Sequence, residues 1–580
     1  MSVEKLYMRK ATGLVREIGI LTAVLIAICN VVGLGWQKRV FQATGWTPLP
    51  ENQYFLGIHP MVMAFFLGGI VILISLYCFA MLSAAMPRSG GGYIFISRIL
   101  SPPLGFVATW FQFWAVAVSY GLIAVAVFEA IQIFGGLAFP TLGAAGWFKA
   151  LSTPWGMFLT GVVIVAIFST IASFGIKQTG YLIQVMFWIP AAILVGVYIL
   201  FLMASPAVME KGVAALFGGH SSVEYTKAAL SQGLATVAAK NSYWKAVFSA
   251  MLAAYWAYIG YAAASFVAGE VKEAQKSLPR AMFISGVVII FIYMTISTLL
   301  ARAGTMVGTQ TVDGNQFSLM SAVAYLRFGG GLDPAWKGWA GATGLPSIGA
   351  WMPMFVAMQA AGMGLKWFIF LIVIFSAFWV ANDIPPFILT TSRMIFAMAF
   401  DRLLPPRLAD VNEKWHSPVN AIIFTSVIAV IFGCAAESDL FGKGGLWLGS
   451  FIHSIINPGG AIAATDLWDV LFFATVSAAA LFFPLRKPEI FDRSPFRLAK
   501  NWTMVLAALA VLGNLFALWL FATDAHGWNL FGIKDLETAM PFLFSIFLGL
   551  VGYGIYWYYA NEARRTGVAL KTIFTEIPPD

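Results

Sequence analysis

Long apolar runs separated by shorter polar stretches recur along the whole chain. A helix needs about 20 mostly apolar residues to cross the ~30 Å hydrocarbon core of a bilayer. Runs of that length, bounded by charged residues or by Gly and Pro clusters, predict twelve membrane-spanning helices. The predicted spans are residues 18–40, 61–86, 103–134, 156–174, 180–203, 246–268, 281–300, 367–400, 418–435, 467–485, 502–521 and 540–559.

Two polar stretches, residues 204–245 and 301–366, are too long to be simple connections between spans. Long loops without secondary structure are uncommon in folded proteins. We therefore expect short helices or a lid in both segments, which the predicted topology places outside the cell.

The composition agrees with a polytopic membrane protein. Of 580 residues, 60% are hydrophobic and only 11% are charged, whereas soluble domains carry roughly 25% charged residues. This deficit excludes a disordered chain, a coiled coil and a nucleic-acid-binding module. The three cysteines, Cys29, Cys78 and Cys434, lie in apolar runs, which predicts small packed hydrophobes rather than disulfides or metal ligands.

The positive charges give the orientation. The chain has 35 Lys and Arg against 26 Asp and Glu, a net charge of +9. Most of the basic residues lie on the side that holds both termini and the connections from even-numbered to odd-numbered spans. The positive-inside rule therefore predicts a plasma-membrane protein with both termini in the cytoplasm. Contact with anionic membrane lipids explains the excess without a nucleic-acid partner.

The first span carries an unusual sequence near its middle. Asn30 is followed by Gly33, Leu34 and Gly35, so that two glycines lie one residue apart. One interpretation is close packing against a neighbouring helix. The other is a break in the helix, which would free backbone N–H and C=O groups in mid-membrane and is tolerated where they line a cavity or bind something.

The sixth span has an aromatic cluster around a glycine, with Trp256, Tyr258 and Gly260. Such a cluster is more often part of a core. However, the first and sixth spans correspond if ten helices form two halves of five, and paired interruptions in corresponding helices indicate a transporter's substrate site. The third span would correspond to the eighth, and it carries Ser119 and Tyr120.

Among the acidic residues, only Glu129 and Asp383 fall well inside predicted spans, and Asp383 is the deeper. A carboxylate at that depth costs about 3 kcal/mol and should face the bundle interior. It could be a protonation or cation site. Alternatively, it could cap the backbone freed by Pro385 and Pro386, which we favour because two consecutive prolines need such a partner.

The sequence lacks the residues that several functional classes of protein require. The histidines lie in loops or at helix ends, so no haem ligand pair or proton relay is expected. No phosphate-binding Gly-Lys-Ser/Thr loop, catalytic constellation or metal-ligand spacing is present, so we expect neither an enzyme nor a cofactor. Transport would run on an H⁺ or Na⁺ gradient or by exchange. The histidines are His59, His220, His416, His453 and His526.

Four sequence blocks, in order, carry a family resemblance. The first reads Pro-Arg-Ser-Gly-Gly-Gly-Tyr after the second span, followed by Ser-Pro-Pro-Leu-Gly-Phe. The chain thereby resembles amino acid permeases of the amino acid–polyamine–organocation (APC) superfamily. The blocks are residues 87–93 with 101–106, 269–272 with 277–281, 392–397 with 401–405, and 487–489 with 495–497.

The resemblance implies the all-α, five-plus-five inverted-repeat (LeuT-type) transporter fold with two additional helices. It also implies transport of amino acids or related amines by alternating access. The implied division is a cytoplasmic segment 1–17, repeats 18–203 and 246–485, additional helices 486–560 and a cytoplasmic tail 561–580.

The resemblance also implies the substrate site. Backbone donors at a broken first helix suit an α-carboxylate, and carbonyls freed in the sixth helix accept from an α-ammonium. Trp256 and Tyr258 would close over the substrate, and Tyr120 would approach from the third helix. The implied substrate-binding residues are Asn30, Gly33, Leu34, Gly35, Tyr120, Trp256, Tyr258 and Gly260.

The chain departs from the family pattern at three places. Leu34 stands where the family has a small residue, and the segment around Asp383 is uncommon, so no coupling-ion role carries over to it. Lys38 and Arg39 follow the glycines. We expect them to be solvated in an outer vestibule; the alternative hypothesis is that they attract anionic substrates.

Three other interpretations stay open. One is a membrane sensor or partner-binding protein that keeps the fold without moving solute. Another is a transporter of polyamines or organic cations. The sequence also leaves a homodimer open.

Overall fold

The computed structural model describes residues 13–329, 336–440, 458–524, 529–534, 536–568 and 570–575. The start of the N-terminal segment, the end of the tail, His453 and His526 lie outside the described residues. Within them the protein is almost entirely helical.

The described residues contain eleven helices that are long and apolar enough to cross a membrane. They coincide with the predicted spans two to twelve, and the first predicted span is present as shorter pieces. The all-α membrane architecture is therefore confirmed. The eleven are Pro60–Ala85, Pro102–Ala138, Pro154–Ser173, Ile176–Leu202, Tyr243–Phe266, Ala274–Thr305, Lys366–Phe400, Val419–Glu437, Thr465–Arg486, Lys500–Thr523 and Ala539–Arg565.

Prolines mark where several spans begin. The second, third and fourth spans start at Pro60, Pro102 and Pro154. A first-turn N–H has no partner within its own helix, so proline loses nothing there and its fixed φ suits the helix. Between the fourth and fifth spans, Gly175 adopts φ +94°, a left-handed conformation that suits glycine and turns the chain back.

The spans differ in how deeply they are enclosed. The third and sixth spans are buried along most of their apolar length, whereas the fourth, eleventh and twelfth spans are largely exposed. The exposed side chains are large and apolar, as expected for surfaces in contact with lipid. Examples are Leu159, Val163, Ile167, Leu512, Trp519, Leu550 and Trp557.

The first span is broken near its middle. It begins as helix Ile20–Cys29, leaves the helical path, and resumes as a π-helical stretch Gly35–Arg39 followed by Val40–Trp46. Within the break, the Gly33 N–H donates only two residues back, to Val31 O at 3.0 Å. One of the two interpretations of the glycines in this span predicted a broken helix, and the structure has that break.

The sixth span is broken at the matching place. Helix Tyr243–Tyr258 ends, and a short helix Ala263–Phe266 follows. Between them Gly260 has φ +108°, which an L side chain rarely adopts. Tyr293 of the seventh span ties the two breaks together, since its hydroxyl oxygen lies 2.6 Å from Val31 O and 2.7 Å from Ala257 O.

The eighth and ninth spans are also interrupted. The eighth consists of Lys366–Ala381 and Ile384–Phe400, joined at Asp383. The ninth runs as Val419–Ile428, a π-helical stretch Ala429–Cys434 and Ala435–Glu437. The helices of the tenth and twelfth spans begin before their apolar parts, as Pro458–Arg486 and Leu536–Arg565.

Both long polar segments contain short helices, as expected. The first has Pro206–Leu216, Ser222–Ser231 and Leu234–Ala238. The second has Leu319–Phe328, Met352–Gly362 and a 3₁₀ turn Gly338–Gly341.

The second polar segment also holds a β-hairpin that the sequence did not predict. Strands Gln310–Val312 and Asn315–Phe317 pair antiparallel, with Val312 opposite Asn315. Asp313 and Gly314 form the turn, both with positive φ, the conformation that two-residue hairpin turns require.

Further short helices lie in the other connections and after the twelfth span. They are Glu51–Gln53, Phe55–Gly57, Gly92–Ile99, Pro140–Ala144, Gly146–Ala150, Ala268–Glu270, Pro406–Ala409, Pro488–Arg493, Leu530–Gly532 and Leu570–Thr575.

Three of the blocks that carry the family resemblance meet at one end of the bundle. Gly90 donates its N–H to Phe266 O at 2.9 Å, and a Cβ on Gly90 would overlap Ala397 of the eighth span. The chain before the first span pairs there too, because the Ile18 N–H donates to Glu270 O at 3.2 Å. The glycines of this block therefore allow close approach of backbone segments.

Candidate functional site

A small buried cavity lies between the breaks of the first, sixth and eighth spans. Its free volume is ≈ 10 Å³, room for about one water molecule. Most of the side chains around it are apolar, and Asp383 is the one ionisable residue among them. The lining residues are Asn30, Val31, Gly35, Ser119, Ile123, Trp256, Ala257, Ile259, Asp383 and Phe387.

Asp383 is 4% exposed and joins the eighth span to the first. Its Oδ2 accepts a hydrogen bond from the Leu34 N–H at 3.4 Å, and its Oδ1 has no hydrogen-bond partner among the described residues. Gly33 makes this approach possible, because a Cβ there would overlap the carboxylate.

The prediction that Asp383 caps its own helix is wrong. Asp383 stands immediately before helix Ile384–Phe400 but makes no capping hydrogen bond. A capping side chain accepts from the second or third N–H of its helix, and those positions are Pro385 and Pro386, which have no N–H. The carboxylate therefore reaches the broken first span instead.

Close contact between the first and sixth spans depends on glycines in both. A Cβ on Gly35 would overlap Ala257, and one on Gly260 would overlap the side chain and carbonyl of Asn30. Asn30 is 2% exposed, and its Oδ1 has no partner among the described residues. Both interpretations of the first-span glycines therefore hold, since they accompany a break and a close helix contact.

The predicted aromatic residues occupy different places. Trp256 lines the cavity. Tyr258 is turned toward the second span, where its hydroxyl donates to Phe65 O at 3.0 Å. Tyr120 is turned toward the ninth span, where its hydroxyl donates to Thr425 Oγ1 at 3.3 Å, and the neighbouring Ser119 lines the cavity in its stead.

The expectation that Lys38 and Arg39 are solvated is wrong. They are 8% and 3% exposed. Lys38 Nζ lies 2.6 Å from Glu129 and 3.2 Å from Glu437, and Arg39 lies 3.8 Å from Glu437. Because the first span continues to Trp46 beyond the break, it carries both residues between the third and ninth spans. We call Lys38, Arg39, Glu129 and Glu437 the Lys38 cluster.

Two further buried carboxylates were missed. Asp466 and Asp469 of the tenth span are 1% and 0% exposed, so Glu129 and Asp383 are not the only acidic residues well inside spans. The predicted tenth span began at residue 467, which placed both carboxylates at its edge. The helix begins earlier, at Pro458, and so carries them inside the bundle. Their spacing within an apolar run was the available signal.

At the end where the family blocks meet, each of four buried charges lies beside a charge of opposite sign. Arg393 forms two hydrogen bonds of 2.8 Å with Glu270, and both side chains are at most 1% exposed. Asp401 accepts from the Tyr93 hydroxyl at 2.9 Å and lies 2.6 Å from Arg98. We call these five residues the motif cluster.

Contacts hold the first span in place on both sides of the cavity. Ile18, before the break, is held by the backbone of Glu270, and Lys38, beyond the break, is held by Glu129 and Glu437. The remaining volume is far too small for an amino acid. An amino acid can therefore be held here only when the cavity widens.

Residues 18–552 match the amino acid permease family. The chain belongs to this family. Among curated proteins it is 22% identical to the branched-chain amino acid permease BcaP of Bacillus subtilis (strain 168), over 93% of each chain. It is 24% identical to the serine/threonine exchanger SteT of the same organism, over 74% of this chain and 78% of SteT.

A human relative is similar over almost the whole chain. The large neutral amino acids transporter small subunit 2 of Homo sapiens is 20% identical, over 97% of this chain and 84% of the relative. The chain is accordingly a multi-pass membrane amino acid transporter of the APC superfamily and not an enzyme. The family carries the LeuT-type fold, to which the paired breaks in the first and sixth spans correspond.

Proposed function

We propose that this permease carries amino acids with apolar side chains, and that Asp383 pairs with their α-ammonium group. The observation that supports the proposal is a buried carboxylate, with one oxygen unpartnered among the described residues, in an otherwise apolar cavity between broken helices.

The charge of Asp383 needs a compensating cation. Burying an unpaired carboxylate is expensive, and no described residue forms an ion pair with it. Its Oδ1 is free for a new contact. An α-ammonium in the cavity would supply both the opposite charge and the hydrogen-bond donors.

The α-carboxylate has a place beside it. The N–H groups of Leu34 and Gly35 begin the outer half of the first span, where the helix dipole favours an anion. Asp383 now accepts from the Leu34 N–H. When Asp383 turns to the ammonium, that N–H becomes available to the substrate carboxylate.

The remaining walls favour an apolar side chain. Val31, Ile123, Ile259 and Phe387 line the cavity, and a charged substrate side chain among them would lack a partner. Two relatives, a branched-chain amino acid permease and a large neutral amino acids transporter, support the same substrate class.

A second candidate is an amine without a carboxylate, such as a polyamine. One observation favours it, because the Leu34 N–H donates to Asp383 and so does not require a substrate carboxylate. An amine could then pair with Asp383 and leave that hydrogen bond in place.

The test is uptake by the purified protein in proteoliposomes. We expect labelled leucine and valine to accumulate, and aspartate, lysine and putrescine to be taken up weakly. Putrescine uptake without leucine uptake would establish the second candidate. Leucine binding without any flux would indicate a sensor.

Asp383→Asn tests the role of the carboxylate. Loss of its charge-assisted hydrogen bond should weaken leucine binding by about tenfold or more. Asp492→Asn is the control, since Asp492 is 67% exposed in a connecting segment. Unchanged leucine binding by Asp383→Asn would refute the assignment.

The coupling mode follows from the same liposomes. Uptake driven by an imposed H⁺ or Na⁺ gradient indicates symport, whereas uptake only into leucine-loaded vesicles indicates exchange. Light scattering of the purified protein distinguishes a monomer from a homodimer.

The protein lies in the plasma membrane with both termini in the cytoplasm, and anionic lipids surround its basic connections. Its two repeats are residues 18–203 and 246–485. The distribution of Lys and Arg supports this orientation. Cysteines introduced near either terminus should resist membrane-impermeant reagents in intact cells.

A further inference from the structure

The missed carboxylates of the tenth span form a second polar site. Asp466 and Asp469 are three residues apart, so they lie on the same face of one helix. They face each other and are buried among apolar residues. Asp466 Oδ1 and both oxygens of Asp469 have no hydrogen-bond partner among the described residues.

A third polar side chain comes from another helix. Gln112 of the third span is 2% exposed, its amide N–H group faces the Asp469 carboxylate, and its Oε1 has no partner among the described residues. A cation shared with the two carboxylates would give this buried amide oxygen the partner that buried polar atoms usually have.

The other groups around the site are identifiable. Arg39 of the first span faces Asp466, and Tyr255 and Tyr261 of the sixth span face Asp469. The Tyr255 hydroxyl donates to Asn514 Oδ1 of the eleventh span, so it does not satisfy the carboxylates.

The charges do not balance. Arg39 connects this site to the Lys38 cluster, and Arg327, which is exposed, faces Glu129 of that cluster. Among the residues that the structure describes, four carboxylates thus face three basic groups, which leaves one negative charge. The carboxylates are Glu129, Glu437, Asp466 and Asp469, and the basic groups are Lys38, Arg39 and Arg327.

The donor set favours a metal cation over a shared proton. Two carboxyl groups that share a proton hydrogen-bond to each other, and Asp469 makes no such bond. Carboxylate and amide oxygens are ligands of hard cations. Since one negative charge is uncompensated, the cation should be monovalent. No group of three or more His, Cys, Asp or Glu among the described residues is arranged to hold a metal, which argues against a transition-metal site here.

We propose that Asp466, Asp469 and Gln112 form a sodium site between the third and tenth spans, separate from the cavity. Arg39 links the two, because its guanidinium lies 5.2 Å from the ring of Trp256, which lines the cavity. A sodium ion would compete with Arg39 for Asp466 and so bias the contacts that close the cavity. The sodium site does not depend on which substrate the permease carries.

The test measures sodium binding without substrate. The purified full-length protein in detergent is titrated with NaCl against KCl and choline chloride at constant ionic strength and pH. We expect a saturable rise in melting temperature with Na⁺ alone, and saturable binding of radioactive ²²Na⁺. Asp469→Asn should weaken both by about tenfold or more, whereas Asp492→Asn should bind as the unmodified protein does.

Gln112→Leu provides a second variant if Asp469→Asn does not fold. It removes one oxygen without changing the charge and should also weaken ²²Na⁺ binding. Equal effects of Na⁺ and K⁺, or unchanged ²²Na⁺ binding by a folded Asp469→Asn or Gln112→Leu protein, would overturn the proposal. The proposal would also be overturned if acidification raised the melting temperature and Na⁺ did not. Leucine uptake is measured in a separate experiment, so the sodium-binding result can be interpreted even if the substrate proposal fails.

Discussion

Buried charges have partners in the motif cluster, whereas the carboxylates in the middle of the bundle have oxygens without partners among the described residues. Glu270 and Arg393 satisfy each other through two parallel hydrogen bonds, and Asp401 is held by Tyr93 and Arg98. In contrast, Asp383 and Asp469 keep oxygens without partners among the described residues.

We infer from this difference that the paired charges hold the fold and that the unpaired ones bind a ligand. A fully paired buried ion holds two segments in one geometry, and its removal leaves the partner unpaired. An unpaired buried carboxylate contributes no such contact and is ready for an ammonium or a metal cation. Stability and transport should therefore respond differently to substitutions in the two regions.

The largest loss of stability is expected for Arg393→Ala. It leaves Glu270 charged and unpaired in a dry site, which typically costs about 3–5 kcal/mol. The melting temperature of the purified protein in detergent should fall steeply. The double variant Arg393→Met with Glu270→Leu should recover much of the loss, because it leaves no unpaired charge. If the Arg393→Ala protein were as stable as the unmodified protein, the paired charges of the motif cluster would not be stabilising the fold.

A smaller loss is expected for Lys38→Met. It leaves Glu129 and Glu437 without their shared cation, but Glu129 is 15% exposed and Arg39 stays near Glu437. We expect about 1–3 kcal/mol, as for a charged hydrogen bond. If Lys38 instead attracted anionic substrates, stability would be preserved and only the uptake of acidic amino acids would fall.

Little loss of stability is expected for Asp383→Asn. The amide oxygen can still accept from the Leu34 N–H, and an unpaired buried charge is removed. The melting temperature should be unchanged or higher while leucine binding falls. A strong loss of stability would mean that Asp383 has a structural partner and belongs with the motif cluster.

The last prediction concerns the pH dependence of stability at Glu51, which lies outside the spans. Burial raises its pKa from 4.5 to about 7, although Ser318 and Ser321 donate to it. The folded state therefore binds this proton more tightly than the unfolded state, so its contribution to stability is full below pH 4.5 and is lost as the pH rises through 7.

Glu51→Gln should remove that part of the pH dependence. The difference in melting temperature between the unmodified protein and the variant should change between pH 4.5 and 7 and level off above it. Burial lowers the pKa of His59 to about 4, so His59 changes stability with pH in the opposite direction. Because His59 is present in both proteins, the difference between them reports Glu51 alone. A constant difference would show that Glu51 does not titrate there.

Much of the architecture could be predicted because membrane spans are a local property. Twenty apolar residues specify a span whatever surrounds them, and Gly33, Gly35 and Gly260 marked both breaks. The family blocks at residues 87–93 and 269–272 were readable because close backbone contacts require a fixed order of small residues.

The partners of charged residues could not be predicted in this way. Lys38 looked solvated because its two carboxylates, Glu129 and Glu437, come from distant spans. Asp383 looked like a cap because Pro385 and Pro386 follow it, yet these prolines offer no N–H to accept from. Asp466 and Asp469 were missed because the predicted tenth span began at residue 467, which placed both carboxylates at its edge.

The sequence by itself thus determined the spans, the two interruptions and the family, since each depends on residues close together in the chain. Only the tertiary structure decided which buried charges are paired. Pairing depends on side chains that come within about 4 Å from different helices, and nothing in the local sequence sets that distance. For this protein, the unpaired oxygens of Asp383 and Asp469 became visible only when their surroundings were assembled.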